Sequence, residues 1–335
     1  MNTKIIIYAL IVAVAFLFAS CDDSSTGPEV PDSSDVLFVL NSMANSISVV
    51  DIETGQVYND VAIVGIWPSQ ITYYNNKVYV VNSGSNNIEI FDSEGLTKLG
   101  AISLGADNNP MTFVVLNDQK GYVASSQSNT VKVINLSNNT ITKTIDVGIG
   151  ATGIAISNGK VYAANTAFDG STFEYGQGTV SIIDTSTDTV IKTLNVPTNP
   201  QDIAVAPNGY VHVVCTGDYM DVKGKVVVID PANDTIVQTV DIGGSPGKIH
   251  ISENNIGYVG TFSEGVFTYN AATYAVINSP DNPVINRGGS GIVSDIEGNI
   301  YIADFNADQV VKLNSNNEIV ATFDVGDGPG SLCVK

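Results

Sequence analysis

The stretch TVSIIDTSTDTVIKTLNVPTNPQDIAVAPNGYVHVVCT, residues 179–216, decides the fold of this chain. Val, Ile, Thr and Tyr fill four short runs, and Asp184, Asn199-Pro200 and Asn208-Gly209 stand between them. Beta-branched and aromatic residues favour strands, whereas Asn, Asp, Pro and Gly favour turns. One such stretch therefore predicts a four-stranded antiparallel sheet.

The same pattern occurs seven times along the chain. The Asp or Asn that ends the third run recurs at intervals of 40 to 49 residues, as Asp51, Asp92, Asn135, Asp184, Asp230, Asn270 and Asn314. An aromatic-type position in the second run recurs as Phe38, Tyr79, Tyr122, Tyr162, His212, Tyr258 and Tyr301. Four-strand units at this spacing are typical of propeller blades. The sequence therefore predicts an all-β fold, a seven-bladed β-propeller of four-stranded antiparallel blades over residues 35–335.

The repeat starts and stops out of phase. Residues 36–41 match the second strand of a unit, and residues 329–334 match a first strand with nothing after it. We expect the C-terminal strand to join the N-terminal three in one mixed blade, because this closes the ring and pairs edges that would otherwise be exposed.

The net charge of the chain indicates which kinds of molecule it can bind. The 335-residue chain has a net charge of −20, with 34 acidic against 14 basic residues. Nucleic-acid binding depends on clustered Lys and Arg, so we expect no nucleic-acid partner. Solubility explains the acidity, and calcium or a basic partner remains an alternative. We expect a monomer.

The first 34 residues read as a targeting segment and a tether. Lys4, the apolar run 5–18 and the small residues before Cys21 form a signal peptide over residues 1–20. Its end, FASC, resembles a bacterial lipobox, which implies lipid modification of Cys21, although Phe18 stands where leucine is usual. A plain secretory signal is the alternative. Residues 21–34 are acidic and polar, and we expect a disordered tether.

Location follows from that resemblance. A lipidated cysteine implies attachment to the membrane through the N-terminal lipid alone. The acidic residues after Cys21 resemble a surface-export tag of some bacteria and an inner-membrane retention signal of others. We expect the cell envelope, on the outer membrane or the cell surface, with the periplasmic face left open.

Three quoted runs carry a family resemblance. Residues 78–82 (VYVVN), 199–205 (NPQDIAV) and 179–184 (TVSIID) resemble the YVTN-type β-propeller repeat, and the likeness extends over residues 36–335. The resemblance implies the architecture. For activity it points several ways, since similar propellers include lactonases, amine dehydrogenases, a periplasmic DNA-binding protein, cell-surface proteins and lipoproteins that capture cobalamin. Residues 265–270 and 278–291 depart from the repeat.

Unusual residues are expected on one rim of the disc. The loops between second and third strands share a face with the connections between blades, and two of these loops, residues 165–178 and 216–224, are long. Together with the channel mouth they give the predicted ligand-binding set: Trp67, Gln70, Thr112, Phe168, Tyr175, Gln201, Asp202, Asp218, Tyr219, Lys248 and Arg287. Aromatic rings with polar groups beside a depression suit a ligand platform. The alternative is that the long loops only cover blade ends.

Small polar residues at the start of each inner strand are expected to line that mouth. They are Ser69, Gln70, Thr112, Thr152, Gln201, Asp202, Lys248, Ser290 and Ser331. A water-filled pore has the same composition, so this pattern alone supports a site only in part.

The common metal-binding motifs are absent from the sequence. It contains no HExxH and no CxxC, and we expect no cofactor and no metal. His212, His250, Cys215 and Cys333 are interpreted as structural, and the recurring Asp and Asn as Asx turns.

Function is therefore predicted as non-catalytic binding by a lipid-anchored envelope protein. The partner would be a small molecule such as cobalamin, a glycan, or an envelope protein. The alternatives are a metal-assisted hydrolase or lactonase using Asp202, Asp218 or Asp221, and a surface adhesin or scaffold.

Overall fold

The computed structural model describes residues 35–335, and within that range every regular element is a β-strand. The predicted signal peptide 1–20, the lipidation site Cys21 and the tether 21–34 lie outside the described residues. In the first half of the range the strands are β1 Val36–Asn41, β2 Ser46–Asp51, β3 Val57–Ile63, β4 Pro68–Tyr74, β5 Lys77–Asn82, β6 Asn87–Asp92, β7 Lys98–Ser103, β8 Pro110–Asn117, β9 Lys120–Ser125, β10 Thr130–Asn135, β11 Thr140–Asp146, β12 Ala151–Ser157, β13 Lys160–Asn165, β14 Phe168–Asp169 and β15 Glu174–Tyr175.

The second half continues the same alternation of short strands and turns. Its strands are β16 Thr179–Asp184, β17 Thr189–Asn195, β18 Pro200–Val205, β19 Val211–Cys215, β20 Lys225–Asp230, β21 Thr235–Asp241, β22 Pro246–Ile251, β23 Ile256–Thr261, β24 Val266–Asn270, β25 Val276–Asn278, β26 Gly291–Ser294, β27 Ile300–Asp304, β28 Gln309–Leu313, β29 Ile319–Asp324 and β30 Pro329–Val334.

These strands form seven four-stranded antiparallel blades, which confirms the predicted propeller. Blade I is β30-β1-β2-β3, and blades II to VII are β4–β7, β8–β11, β12-β13-β16-β17, β18–β21, β22–β25 and β26–β29. The predicted closure is confirmed, because Leu37 pairs with Val334 and Val39 with Leu332. An additional hairpin, β14-β15, projects from blade IV.

The core lies between the blades rather than within any one of them. Seven clusters of buried residues each join two neighbouring blades; for example, Tyr162 and Ile182 of blade IV pack against Val213 of blade V. The second strand β1 is buried along its whole length, whereas the outer strand β17 is almost wholly exposed. Strands covered on both faces require continuous apolar runs, and this explains their weak alternation in the sequence.

The recurring aromatic of the second strand has a definite role. The Tyr162 hydroxyl donates to Asp234 at 3.0 Å, and Lys160 pairs with the same carboxylate at 2.7 Å, in the turn of the next blade. Tyr122 and Lys120 repeat both contacts on Asp188. In these two copies the aromatic landmark of the repeat therefore connects one blade to the next.

The recurring Asp and Asn form Asx turns, as predicted. In each of the seven copies the side-chain oxygen accepts a backbone N–H two residues further on; for Asp51 the donor is Glu53, at 3.0 Å. This bond ends the third strand and starts the turn.

We call one side of the disc the loop face. It consists of the connections between blades and between second and third strands, including residues 42–45, 64–67, 166–178, 216–224 and 262–265. The remaining turns form the opposite face. Within residues 35–335, no helix is long and apolar enough to cross a membrane.

Candidate functional site

A central cavity of about 530 Å³ opens along the propeller axis. Gln70, Thr112, Asp202 and Lys248 line it, together with Ser290 and Ser331, as the sequence predicted. Ser69, Thr152 and Gln201 are not among its lining residues, and that part of the prediction is wrong. Successive side chains of a strand point to opposite sides, so Ser69 instead donates to the Met111 carbonyl at 2.9 Å and Thr152 to the Pro200 carbonyl at 3.3 Å.

Several cavity-lining side chains also tie neighbouring inner strands together. Gln70 Oε1 accepts the Phe113 N–H at 2.6 Å, and Ser331 Oγ accepts the Ile71 N–H at 3.3 Å. Asp202 accepts the Ile203 N–H through Oδ1 at 3.0 Å and the Ile249 N–H through Oδ2 at 3.2 Å. These groups therefore have a structural role whether or not a ligand binds.

The Asp202 carboxyl has an unusual environment. Burial raises its pKa above the ordinary value, while Lys248 and the two backbone N–H groups oppose that rise. Lys248 lies in the adjacent blade, at the equivalent strand position. No Lys248–Asp202 ion pair within 4 Å forms, so the two charges interact only at longer range.

Lys248 differs from the other cations of the loop face. Lys223 donates to the Met220 carbonyl, Lys225 pairs with Asp241, and Arg287 contacts Asp304 at 3.6 Å and Gln309 at 3.0 Å. Among the described residues, the Lys248 ammonium has neither a hydrogen bond nor an ion pair of this kind. It is therefore available to an external acceptor.

Aromatic rings extend across the loop face from blade IV towards blade VII. The ring centroids of Phe168 and Tyr175 are 5.1 Å apart, and those of Tyr175 and Tyr219 are 6.3 Å apart. Phe262 and Phe305 form a second pair at 5.3 Å. The predicted residues Phe168, Tyr175 and Tyr219 are thus brought together, whereas Trp67 lies apart, at the entry to blade II, with 71% of its surface exposed.

Phe262 and Phe305 were missed, although the repeat contained a signal for them. Each follows the last residue of a second strand, in blades VI and VII. The other five copies have Ser or Thr at that position: Ser42, Ser83, Ser126, Thr166 and Thr216. Two neighbouring blades that replace a small hydroxyl residue with phenylalanine indicate a specialised region of the face.

Two of the further cavities on the loop face border its aromatic rings and glycines. The ring cavity, about 290 Å³, is bounded by Tyr219, Phe262, Phe305, Gly247 and Lys248. The hairpin cavity, about 590 Å³, is bounded by residues that include Phe168, Tyr175, Gln201, Ile149 and Gly170. Lys248 also lines the central cavity, so it stands where the ring cavity and the channel meet.

Two glycines leave these cavities open. A Cβ added at Gly247 or at Gly170 would meet no atom within 4 Å, and neither residue has a positive φ. A larger side chain at either position would therefore extend into the cavity without colliding with the fold.

Three aromatic residues of the loop face have left-handed backbone conformations. The φ angles are 52° at Trp67, 60° at Phe173 and 65° at Tyr219. Bulky residues seldom adopt positive φ, and each such residue costs of order 1 kcal/mol. Strain of this kind collects at functional sites, and here it holds aromatic side chains at the surface.

Two predicted site residues support loops. Asp218 accepts the N–H groups of Met220 and Val222 at 2.9 and 2.8 Å, and these bonds lower its pKa. Arg287 holds the connection before blade VII against Asp304 and Gln309. Both therefore shape the loop face through their neighbours.

The histidines and cysteines lie in strands. His212 contacts the Tyr269 hydroxyl at 2.8 Å, and His250 contacts the Ser294 hydroxyl at 2.9 Å. Cys215 and Cys333 are free thiols in blades V and I. Over residues 35–335, no three His, Cys, Asp or Glu side chains come together in a way that would hold a metal ion.

Comparison with known proteins yields a family and a fold. The sequence profile of the family described as "Domain of unknown function (DUF5074)" matches residues 51–245, more than half of the chain. No curated protein matches significantly. Solved structures with the same fold are numerous, and all three described next are below 20% identical in sequence.

The three are propellers from different bacteria. A functionally unknown protein from Desulfotomaculum acetoxidans has a TM-score of 0.68 at 16% identity, covering 90% of this chain and 99% of that one. Hydrazine synthase from Kuenenia stuttgartiensis has 0.67 at 16%, covering 79% and 88%. A quinoprotein alcohol dehydrogenase-like protein from Bacteroides thetaiotaomicron has 0.64 at 18%, covering 89% and 78%. At such identities the likeness shows the fold alone.

Proposed function

The chain belongs to the DUF5074 family, and we propose that it is a lipid-anchored cell-envelope protein that captures a small molecule on its loop face, without covalent chemistry. The observation that carries this proposal is the one-sided distribution of exposed large hydrophobic residues. Among the described residues, ten lie in connections of the loop face, against Ile296 alone in those of the opposite face. The ten are Met43, Ile66, Trp67, Ile149, Phe168, Phe173, Tyr219, Met220, Val222 and Phe262.

The outer strands carry the remaining exposed hydrophobic residues, such as Val190, Ile191 and Ile236. They do not form a comparable binding surface. In every blade the pairing of third and fourth strands contains a register shift. Bulges of this kind twist an edge strand and protect it from pairing with other chains. The exposed apolar groups of the loop face are therefore the ones that indicate a binding surface.

Aromatic side chains on a concave surface suit small-molecule capture. Ligand sites are typically lined by aromatic and apolar groups, with a few polar groups that fix orientation. The loop face supplies the rings of Phe168, Tyr175, Tyr219, Phe262 and Phe305. Gln201 supplies a polar group beside Phe168 and Tyr175, and Lys248 supplies one beside Tyr219, Phe262 and Phe305. This combination supports capture of a ligand that has a flat apolar part.

Two other candidate functions have less support. A glycan or an envelope protein would use the same rings, and Met43, Ile66 and Trp67 offer additional apolar surface near blades I and II. The hydrolase alternative needs carboxylates free to bind a metal or a proton. Both oxygens of Asp202 and the Oδ1 oxygen of Asp218 instead accept backbone N–H groups.

A ligand screen tests the capture function. We expect at least one compound from a library of metabolites, oligosaccharides and cobalamin to raise the melting temperature of the purified protein by several degrees, because a ligand that binds only the folded state stabilises it. Tyr219→Ser combined with Phe262→Ser should remove that shift. Ile296→Ser, which removes the exposed hydrophobic residue of the opposite face, should leave it unchanged. An empty screen, or a shift that survives the double substitution and replacement of Phe168 and Tyr175, would show that the loop face does not capture ligands.

Cell fractionation tests the anchor. In the native bacterium we expect the protein in the membrane fraction, and we expect Cys21→Ser to release it, because the lipid on Cys21 is proposed to be its attachment. Cys333→Ser, in β30, serves as the matched control and should stay membrane-bound. Retention of the Cys21→Ser protein at the membrane would contradict lipid anchoring.

A further inference from the structure

The ring cavity is smaller than the hairpin cavity of the loop face. Its volume of about 290 Å³ lies at the lower end of the range for ligand pockets. A ligand with one or two rings fits that volume, whereas the hairpin cavity is about 590 Å³. Size therefore favours a small planar compound for the ring cavity.

Its walls are shaped for a flat group. Phe262 and Phe305 lie with their centroids 5.3 Å apart and their planes tilted by 52°. Phe262 leaves 58% of its surface exposed, and Tyr219 leaves 56%. Gly247 borders the same cavity and presents bare backbone to open space. A third ring placed there would bury exposed aromatic surface and add tilted ring contacts.

Lys248 supplies the polar end of the cavity. The hydroxyl groups of Thr261 and Ser290, which also border it, already donate to backbone carbonyls, at 2.9 Å for Thr261 and 2.7 Å for Ser290. The Lys248 ammonium has no such partner among the described residues. An ammonium that is partly removed from water favours a bound anion, and carboxylates are its usual acceptors.

Asp202 does not neutralise Lys248 directly. Its two oxygens are held by the N–H groups of Ile203 and Ile249, and no Lys248–Asp202 ion pair forms within 4 Å. Lys248 can therefore serve a ligand from the side of the ring cavity.

We infer that the ring cavity binds a small planar aromatic acid, with the aromatic ring between Phe262 and the Gly247 backbone and the carboxylate on the Lys248 ammonium. The inference rests on the proposed capture function and narrows its ligand to a chemical class. The two parts of the ligand are recognised by different residues, so each part can be tested separately.

Ligand-detected NMR with defined probes tests the class. The probes are benzoate and indole-3-acetate, each paired with its uncharged amide, at millimolar concentration with the purified protein. We expect both acids to bind and each amide to bind at least about tenfold more weakly, because the amide lacks the charge that Lys248 recognises. Equal binding of acid and amide, or no binding of any probe, would overturn the inference.

Matched glycine substitutions test which of the two cavities binds the aromatic acids. Gly247→Leu places a side chain in the ring cavity, and Gly170→Leu places the same side chain in the hairpin cavity. We expect Gly247→Leu to abolish binding of the acids and Gly170→Leu to leave it unchanged. Gly247→Ala and the melting temperatures of all variants serve as folding controls. If only Gly170→Leu removes binding, capture on the loop face stands and the ring-cavity inference is wrong.

Substitution of Lys248 tests whether its ammonium group binds the carboxylate of the ligand. Lys248→Met should weaken the acids by about tenfold or more without affecting the amides, and Lys248→Arg should retain most of the binding. If Lys248→Met leaves acid binding unchanged, the assignment of the carboxylate to Lys248 is wrong. If binding survives both leucine substitutions, the probes bind in neither cavity and the inference about the ring cavity is wrong. The ligand screen described above then still tests the capture function.

Discussion

Deletion of residues 328–335 is expected to unfold the whole ring rather than to remove one strand from it. Strand β30 is the inner strand of blade I and pairs with β1 at five positions. Leu332 packs with Tyr301 and Val310 of blade VII, and Ser331 accepts the Ile71 N–H of blade II. Loss of β30 therefore disrupts the interfaces of blade I with blades II and VII, and it leaves the edge of β1 unpaired.

The expected size of this effect follows from ordinary contributions. Each lost backbone hydrogen bond costs about 1 kcal/mol, and exposing a leucine costs about 2 kcal/mol. The sum approaches the total stability of a typical domain, which is about 5–15 kcal/mol. Circular dichroism during urea or thermal unfolding should show that the cooperative transition is lost or strongly shifted.

A same-size excision provides the control. The hairpin of residues 168–175 lies outside the blades and is closed by the Gly176 N–H to the Ala167 carbonyl at 2.8 Å. Replacing it with Asn-Gly should change the melting temperature by only a few degrees, because the hairpin pairs with no blade strand and loses only loop contacts such as that of Tyr175 with Tyr219. A β30 deletion that melts like the parent protein would show that closure contributes little to stability.

Acidification from pH 7 to pH 4 is expected to destabilise the protein through its two histidines. Burial lowers the pKa of His212 and of His250 from 6.5 to about 4. Between these values the unfolded chain binds more protons than the folded one, so the free energy of unfolding falls as the pH falls. The stabilisation is complete above about pH 6.5 and is lost as the pH reaches about 4.

His212 is expected to contribute most of this change. It has no exposed surface, and its Nε2 has no hydrogen-bond partner in the described part of the chain, so protonation there is costly. A difference of 2.5 pKa units corresponds to roughly 3 kcal/mol at pH 4. His250 is only half-buried, and its Nε2 has a hydrogen-bond partner in Ser294, so it should contribute less. The raised pKa of Asp202 acts in the opposite direction, because protonating that carboxyl favours the folded state.

Urea unfolding at a series of pH values measures the effect. The parent protein should lose stability between pH 6.5 and pH 4, and His212→Gln should remove most of the slope. His250→Gln serves as the comparison and should remove a smaller part. A flat stability profile over this range, or an unchanged slope in both variants, would contradict the proposed role of the buried imidazoles.

Much of the fold could be predicted because a propeller repeats its local chemistry. The Asp and Asn of the Asx turns and the aromatic of the second strand occur once in each unit. The Asp or Asn recurs because it starts the turn, whereas the aromatic contacts the next blade in copies such as Tyr162. Seven copies fixed the blade count, and the phase of residues 36–41 and 329–334 fixed the closure. Strand-level patterns of this kind depend on neighbours in sequence, which a sequence displays directly.

The site was predictable only in outline. Loop lengths correctly placed Phe168, Tyr175 and Tyr219 on one face, where their rings meet. The sequence did not show that Asp218 and Arg287 are engaged in holding loops, because their partners depend on loop conformation. It also did not single out Phe262 and Phe305, whose significance comes from the adjacency of blades VI and VII.

The sequence by itself determined the number of blades, their strand order, the closing strand and the face on which unusual residues collect. Only the tertiary structure decided that Ser69 and Thr152 do not line the central cavity, that Lys248 has no hydrogen bond or ion pair among the described residues, and that Gly247 opens on a cavity. The physical reason is how far apart in the chain the interacting residues lie. Turns and strands follow from residues a few positions apart, whereas a cavity is the space left between blades whose contacting residues are about 45 positions apart in the chain.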